Sequence, residues 1–434
     1  MSSSDLAEWL TEAVDASMPL AKRLFNGIGR RTFTDPGYTR ISYGEGEKLA
    51  HDMVTEEARA LGLDCTTDVA GNLYMTLPGR DRSLPPWISG SHLDTVPHGG
   101  NYDGAAGALA ALTALAALKH AGIEPARDVT AMGIRAEESS SWFTGHHGGH
   151  LGSRAALGLL WEDELETAIH IPTERTLREA IDAAGFNADA VRRGPPHLTK
   201  DNVRGFVELH IEQGPVLAHE RLALGIVTSI RGTIRARESR CFGAYTHSGA
   251  VPHELRHDAV LATVELLGDL DRAWAEVREK GGDLVYTVGK LHTDVEMEGL
   301  SKVPGEARFT LDIRSQDSET LTSMRELVER RAAAIGQHRG VRFDLGRIAR
   351  GEPAAMHPAL RARLLEGTGA LGIAAREIPC GAGHDAADFT RAGIPSAMVF
   401  VRNTNGSHNP DEHMEMADFR EGVRLLAWFF AGAD

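Results

Sequence analysis

Several histidines and carboxylates are set along this chain where an apolar run stops. His92 and Asp94 close "PPWISGSHLD", and Asp103 follows after a glycine-bearing turn, just ahead of an alanine-rich tract. Glu137 and Glu138 end "DVTAMGIRAEE", and His210 lies in "GFVELHIEQGP". His408 sits in "NGSHNPDEH", a stretch of turn formers. Two residues apart at a strand end, His92 and Asp94 leave the same face. A carboxylate beside an imidazole is the arrangement that fixes the ring of a metal-bound histidine. Glycine before Asp103 permits a tight excursion of the backbone, which would let Asp103 bridge two cations. Neighbours on a regular strand point to opposite faces, so Glu137 and Glu138 serve one site only if the strand has ended. One carboxylate can then bind metal while the other faces water.

His92, Asp103, Glu138, His210 and His408 together make three imidazoles and two carboxylates. Such a set suits two borderline divalent ions, Zn²⁺ foremost and Mn²⁺, Co²⁺ or Ni²⁺ besides, sharing one carboxylate and a water. No CxxC pair occurs, so nitrogen and oxygen must hold any metal. Each residue alone is a weak signal, because a single His or Asp at a strand end is more often a cap. The segment "GHHGGH", His146 to His150, looks metal-like but reads as a flexible polar loop.

These residues need a scaffold. Helical periodicity in "YGEGEKLAHDMVTEEARALGL" and strand texture in "NLYMTLPG" precede the first histidine, and Ala105 to Lys119 is a strong helix former. Alternating strands and helices predict an α/β layer with a mostly parallel sheet flanked by helices. Sites in such sheets collect at the carboxyl ends of strands, where His92, the Glu137–Glu138 pair and His210 fall. From about Gly225 to Arg347 the texture changes. "GIVTSIRGTIRARESRCFGAY" alternates as strand, helices are expected over Asp258–Lys280 and Ser318–Gly336, and "DLVYTVGKLHT" and "EARFTLDIRS" read as further strands. That order predicts an inserted α+β domain with an antiparallel sheet. The expected division is 1–226 and 348–434 for the α/β domain and 227–347 for the insert.

The chain has 434 residues, 42% of them hydrophobic and 25% charged, as in an ordinary globular protein. Its formal charge of −15 disfavours nucleic acid and anionic membranes as partners. No apolar run has the length of a bilayer span. The start, "MSSSDLAEWLTEAVD", lacks the basic-then-apolar order of a signal peptide. Cys65, Cys241 and Cys380 are far apart and odd in number, which fits a reducing compartment. A cytoplasmic enzyme is the expectation. There is no GxxxxGK[ST] loop, "GAGHDA" lacks the third glycine of a dinucleotide fingerprint, and no GxSxG elbow appears.

The motifs H-x-D, Asp103, Glu137–Glu138, "ELHIEQGPVL", "GAGHDA" and "SHNPDE" resemble the amidase/carbamoylase branch of the aminoacylase-like dinuclear zinc metallohydrolases. That branch includes N-carbamoyl-L-amino acid hydrolase, β-ureidopropionase and allantoate amidohydrolase. His210, where peptidase relatives have a carboxylate, points to this branch. The resemblance implies a zinc-peptidase-like catalytic domain and an insert that serves as lid and homodimer interface. It implies one metal on His92, Asp103 and His210, and the other on Asp103, Glu138 and His408. Glu137 would take a proton from a metal-activated water and pass it to the leaving nitrogen, with Asp94 orienting His92.

In the lid, His247 of "GAYTHSGAVPHELRHDA" resembles the histidine that stabilises the oxyanion; otherwise it is a turn histidine beside Tyr245. Arg314 of "LDIRS" resembles the arginine that grips a substrate carboxylate; otherwise it is a strand-surface arginine paired with Asp312. Gln213, Gly383 and His384 would supply further polar contacts to a small ureido or amide substrate.

Two stretches depart from the family pattern. Ser301 of "LSKVPG" stands where an asparagine is usual, and Ser139-Ser140-Ser141-Trp142 replaces Gly-x-Arg-Phe. A shorter donor and a lost arginine reshape the pocket and its charge. The expected reaction is hydrolysis of the C–N bond of an N-carbamoyl amino acid or related ureido acid. N-acyl amino acid or dipeptide hydrolysis by the same centre is the neighbouring reading. A non-catalytic metal- or ligand-binding relative is the alternative of a different class.

Overall fold

The computed structural model describes residues 3–145 and 148–432. Two compact units divide the chain, 229–355 forming one and the remainder the other.

The larger unit is built on strands β1 (Asp64–Thr67), β2 (Leu73–Leu77), β3 (Trp87–His92), β4 (Val129–Ile134), β5 (Gly205–Ile211), β6 (Leu224–Ile230) and β7 (Ser396–Val401). They follow one another in the sheet as β1-β2-β4-β3-β5-β7-β6. The four central strands β4, β3, β5 and β7 are mutually parallel, while β2 and β6 flank them antiparallel. Strands β3, β4, β5 and β7 are buried at every residue, which is why they read as continuous apolar runs and not as alternation.

Helix α1 (Ser3–Thr32), helix α2 (Ala105–His120) and a C-terminal helix (Met416–Ala431) pack together, α2 lying against β3, β4 and β5. Every residue of α2 from Ala105 to Leu118 is buried. Small side chains let it lie close to the sheet. At Gly107 a Cβ would come within 2.0 Å of the Leu209 carbonyl oxygen and 2.6 Å of Ser91. This close seat sets the height at which Asp103, just before α2, reaches the strand ends. A short helix, α3 (Asp385–Arg391), is tied to β5 by Phe389 stacked on Phe206, ring centroids 3.8 Å apart.

In the second unit, strands Gly232–Phe242 and Glu306–Ser315 form the antiparallel centre of a six-stranded sheet. Along Glu306–Ser315 half-buried and buried residues alternate one by one, the pattern of a sheet with one face packed. Helices Ala259–Glu279 and Ser318–Arg339 supply residues to that core. Two details differ from the sequence reading. Strand β6, read as part of the insert's first strand, belongs to the larger sheet. The insert also runs past residue 347, because Ile348–Gly351 pairs with Gly232–Phe242. No described helix is long and apolar enough to cross a membrane.

Candidate metal centre

Strand β3 ends on His92, β4 stops short of Glu137, and His210 is the penultimate residue of β5. All three leave the carboxyl edge of the parallel strands, and the loop after β7 brings His408. Turning the chain here takes uncommon backbone. Ala136, Gln213 and His408 have φ of 51°, 61° and 60°, a conformation that costs a side-chain-bearing residue about 1–3 kcal/mol and collects at functional sites. With β4 finished and Ala136 left-handed, neighbouring Glu137 and Glu138 serve one site.

Ligand-type atoms of His92, Asp103 and His210 lie within 4.8 Å of one another, and so do those of Asp103, Glu138 and His408. A third group within that reach, His92, Glu137 and Glu138, places Glu137 beside the same cluster. Asp103 is the centre. Its Oδ1 is 3.1 Å from His210 Nε2 and 3.7 Å from His92 Nε2, and its Oδ2 is 3.3 Å from His408 Nε2. Glu138 Oε1 lies 3.1 Å from the same His408 nitrogen. His92, Asp103, Glu138 and His210 are buried, while the His408 side chain is 51% exposed.

The donor set fits divalent metal. His92 Nδ1 faces the Asp94 carbonyl oxygen at 3.1 Å, and His210 Nδ1 faces that of Ile211 at 2.9 Å. Each Nδ1–H donates there, which leaves each Nε2 turned toward Asp103. Among the described residues, His210 Nε2 and Asp103 Oδ1 are buried with no hydrogen-bond partner, although they face each other at 3.1 Å. A buried ring nitrogen and a buried carboxylate oxygen aimed at one point call for a cation between them, a proton in the metal-free cluster or a metal ion in its place. The charges agree. Burial works against ionised imidazoles, yet Glu137, Asp103 and Asp94 push His92 well above its usual range. Burial likewise opposes Asp103, which pushes His210 up. Hydrogen bonds to Asp103 and Glu138 raise His408 to about 11. Burial would raise Asp103 itself, but the three imidazoles hold it well below the usual carboxylate range.

Asp94 is a knot under this cluster. Its Oδ1 accepts the Glu137 backbone N–H at 3.2 Å and lies 3.3 Å from His92 Nδ1. Its Oδ2 accepts the Glu138 backbone N–H at 3.1 Å and the Ser42 hydroxyl at 2.5 Å. Glu412 does the same for Asp103. It accepts the backbone N–H groups of Tyr102 and Asp103 at 3.0 and 3.1 Å, and its other oxygen is 2.5 Å from Ser407 Oγ, itself 2.7 Å from Asp103 Oδ2. One hydroxyl hydrogen cannot serve two carboxylates. Burial and the Asp103 charge push the Glu412 carboxyl up, so a proton on Glu412 completes the chain. Ser407 and Glu412 sit inside "SHNPDE", but their role needed the fold to be seen.

Of the substrate contacts expected from sequence, Gln213 donates to Asp103 Oδ2 at 3.0 Å. His384 is buried against His210, ring centroids 4.3 Å apart, with neither ring nitrogen hydrogen-bonded among the described residues. Burial holds it neutral. His247, Ser301 and Arg314 belong to the second unit. There Thr246–His247 pairs with Lys302–Val303, and the Ser248 N–H donates to the Ser301 carbonyl at 2.9 Å, so His247 and Ser301 share one corner. His247 Nδ1 accepts from the Gly249 and Ala250 N–H groups. Arg314 donates to Asp312 at 2.7 Å, the strand-surface pairing considered for it.

One reading from sequence is corrected. His150 is not part of a free polar loop: its Nε2 is 3.2 Å from Glu137 Oε1 and its Nδ1 is 2.7 Å from Asp388 Oδ2. Its backbone N–H donates to the Glu137 carbonyl at 2.9 Å, which docks this end of the segment on the strand end. His146 and His147 lie outside the described residues.

An α/β layer with imidazoles and carboxylates clustered at its carboxyl edge is the architecture of a metal-dependent hydrolase. The model of peptidase family M20/M25/M40 matches residues 88–431, and the chain belongs to that family. An N-carbamoyl-L-amino-acid amidohydrolase of Paenarthrobacter aurescens is 32% identical over 92% of this chain and 94% of its own. An allantoate amidohydrolase of Escherichia coli is 32% identical over 90% of this chain and 92% of its own. Among solved structures, a hydantoinase/carbamoylase family amidase from Burkholderia multivorans superposes with a TM-score of 0.83 at 28% identity, covering 95% of this chain and 96% of that one.

Proposed function

We propose that this chain is an amidohydrolase that cleaves the linear C–N bond of an N-carbamoyl amino acid or related ureido acid. The observation that carries the reading is Glu137, a buried carboxylate whose Oε1 is engaged by His150 while its Oε2 faces the ligand cluster. A binding protein has no use for such a group, whereas a hydrolase needs it as general base. The likeness to amidohydrolases over nine-tenths of the chain supports the substrate class.

In this reading His92, Asp103 and His210 hold one divalent ion and Asp103, Glu138 and His408 a second, with Zn²⁺ the leading candidate. Bound metal supplies a water of lowered pKa and polarises the scissile carbonyl. Glu137 accepts the proton of the attacking water and delivers it to the departing nitrogen. Asp94 holds Glu137, Glu138 and His92 in register. Gln213, His384 and the Gly383 backbone face the ureido or amide group. By the resemblance, His247 would stabilise the oxyanion, Ser301 would donate to the substrate and Arg314 would grip the substrate carboxylate. The odd number and wide spacing of the three cysteines support cytoplasmic residence, and the resemblance supports a homodimer through the insert.

The test is a panel of ureido acids, N-acyl amino acids and dipeptides offered to protein reloaded with Zn²⁺, Mn²⁺, Co²⁺ or Ni²⁺. Ammonia released from carbamoyl compounds is the expected result. Amine released only from acyl compounds or dipeptides would move the assignment to the neighbouring reading, and no turnover with any metal would leave a binding protein.

A further inference from the structure

Resting on Glu137 as the base, we propose that His150 is its positioning residue, held by Asp388 so that Nε2–H grips one oxygen of the Glu137 carboxylate and leaves the other facing the ligand cluster. The chain of contacts is continuous. Asp388 Oδ2 meets His150 Nδ1 at 2.7 Å, His150 Nε2 meets Glu137 Oε1 at 3.2 Å, and Glu137 Oε2 lies 3.8 Å from His92 Nε2. Asp388 is itself fixed. Its side chain is 2% exposed, its other oxygen accepts from Arg391 at 2.8 Å, and its helix is stacked on β5 through Phe389.

Backbone geometry holds His150 as firmly as its side chain. It has φ of 59°, a conformation that costs a residue bearing a Cβ, and its N–H bonds the Glu137 carbonyl. Leu151 and Gly152 continue along the same edge, donating to the carbonyls of Ala136 and Arg135. Space is kept open on the far side by Gly383, where a Cβ would lie 3.1 Å from His150 Nε2.

The ring must be a double donor, because both of its nitrogens face carboxylate oxygens. Burial opposes that charge, but Glu137 and Asp388 raise His150 to about 10. Asp388 secures the proton on Nδ1, which leaves Nε2 as the nitrogen turned to Glu137. A carboxylate left to rotate presents either oxygen at many angles. Gripped at Oε1, Glu137 presents Oε2 alone, which is what proton abstraction from a fixed water requires.

The experiment uses the full-length, metal-loaded protein and the substrate on which the wild type turns over. His150→Ala and Asp388→Asn are expected to lower kcat on the order of 10- to 100-fold, with KM and bound metal little changed. His150→Gln keeps an N–H donor and should recover part of the loss. In a Glu137→Asp background, removing His150 should cost little more, because the two residues act as one unit. ¹⁵N NMR of the imidazole in metal-free protein gives a readout independent of turnover: both ring nitrogens of His150 should carry protons at neutral pH, and Glu137→Ala, which leaves no acceptor, should release Nε2. An unaltered kcat in folded His150→Ala would overturn the proposal. So would losses that multiply with Glu137→Asp and show no rescue by His150→Gln, the mark of a merely structural residue. A wild type inactive on every substrate would sink the hydrolase reading instead, and the NMR arm would still decide whether His150 grips Glu137.

Discussion

The backbone N–H of Glu137 points at Asp94 Oδ1, 3.2 Å away, and that carboxylate also lies beside the His92 ring and accepts the N–H of Glu138. One buried side chain therefore sets the position of an expected base and of two expected ligands. Asp94→Asn offers one accepting oxygen where two are in use, and turns an amide N–H toward a backbone N–H. Such a partner of the ligand sphere is typically worth about 10- to 100-fold in metal affinity or activity. Both should fall together in Asp94→Asn, as read by bound-metal analysis alongside kcat. Full metal occupancy with full activity would reduce Asp94 to a packing residue.

Glu137→Gln separates the base from the ligands. Its amide fills the same space and keeps a carbonyl for His150, but it takes no proton from water. Metal content should be unchanged while kcat drops about 10²- to 10⁴-fold, the range of general acid–base contributions. Glu138→Gln should do the opposite and lose metal first, since Glu138 Oε1 sits 3.1 Å from His408 in the ligand cluster. If both variants lose metal equally, the two roles have been assigned wrongly.

Much of this centre was legible in the sequence because strand ends are. Runs such as "VTAMGI" and "GFVELHI" are buried at every residue, so their carboxyl ends mark the edge where His92, Glu137, Glu138 and His210 meet. Asp103 was legible through the alanine-rich helix that follows it. His150 was not. Its partner Asp388 is 238 residues away, and nothing local distinguishes His150 from the two histidines before it. Ser407 and Glu412 lie within a visible motif, but their hydrogen bonds to Asp103 span about 300 residues of chain, beyond any periodicity. The insert's second edge was missed because Ile348–Gly351 takes its identity from the strand it pairs with and not from its own composition.

Metal loading should release protons. In the metal-free cluster acidic neighbours raise all three ligand histidines, His408 to about 11. His408 is therefore imidazolium at neutral pH, and the upward shifts of His92 and His210 favour the protonated ring, whereas a ligand nitrogen must offer its lone pair. Binding exchanges protons for metal, so affinity falls as the pH is lowered and rises toward the alkaline side. Calorimetric titration of Zn²⁺ in buffers of different ionisation enthalpy measures the protons released. Binding that proves neutral in protons at pH 7 would contradict the charge state argued for these rings.

Gly104 tests whether the turn before α2 is built around the His92 ring. Its φ is 65°, and a Cβ there would fall 2.4 Å from three atoms of that ring. Gly104→Ala should destabilise the fold by about 1–3 kcal/mol through the left-handed backbone and also push His92 off its ligand position. Gly122 provides the control. Its φ is 60°, but a Cβ there would meet no heavy atom within 4 Å, so Gly122→Ala carries the backbone cost alone. Both variants should unfold at lower denaturant concentration, while only Gly104→Ala should lose metal affinity, by about 10- to 100-fold. Equal metal affinity in the two would mean that His92 yields to the methyl group without leaving the cluster, and that the tight fit at Gly104 is incidental to binding.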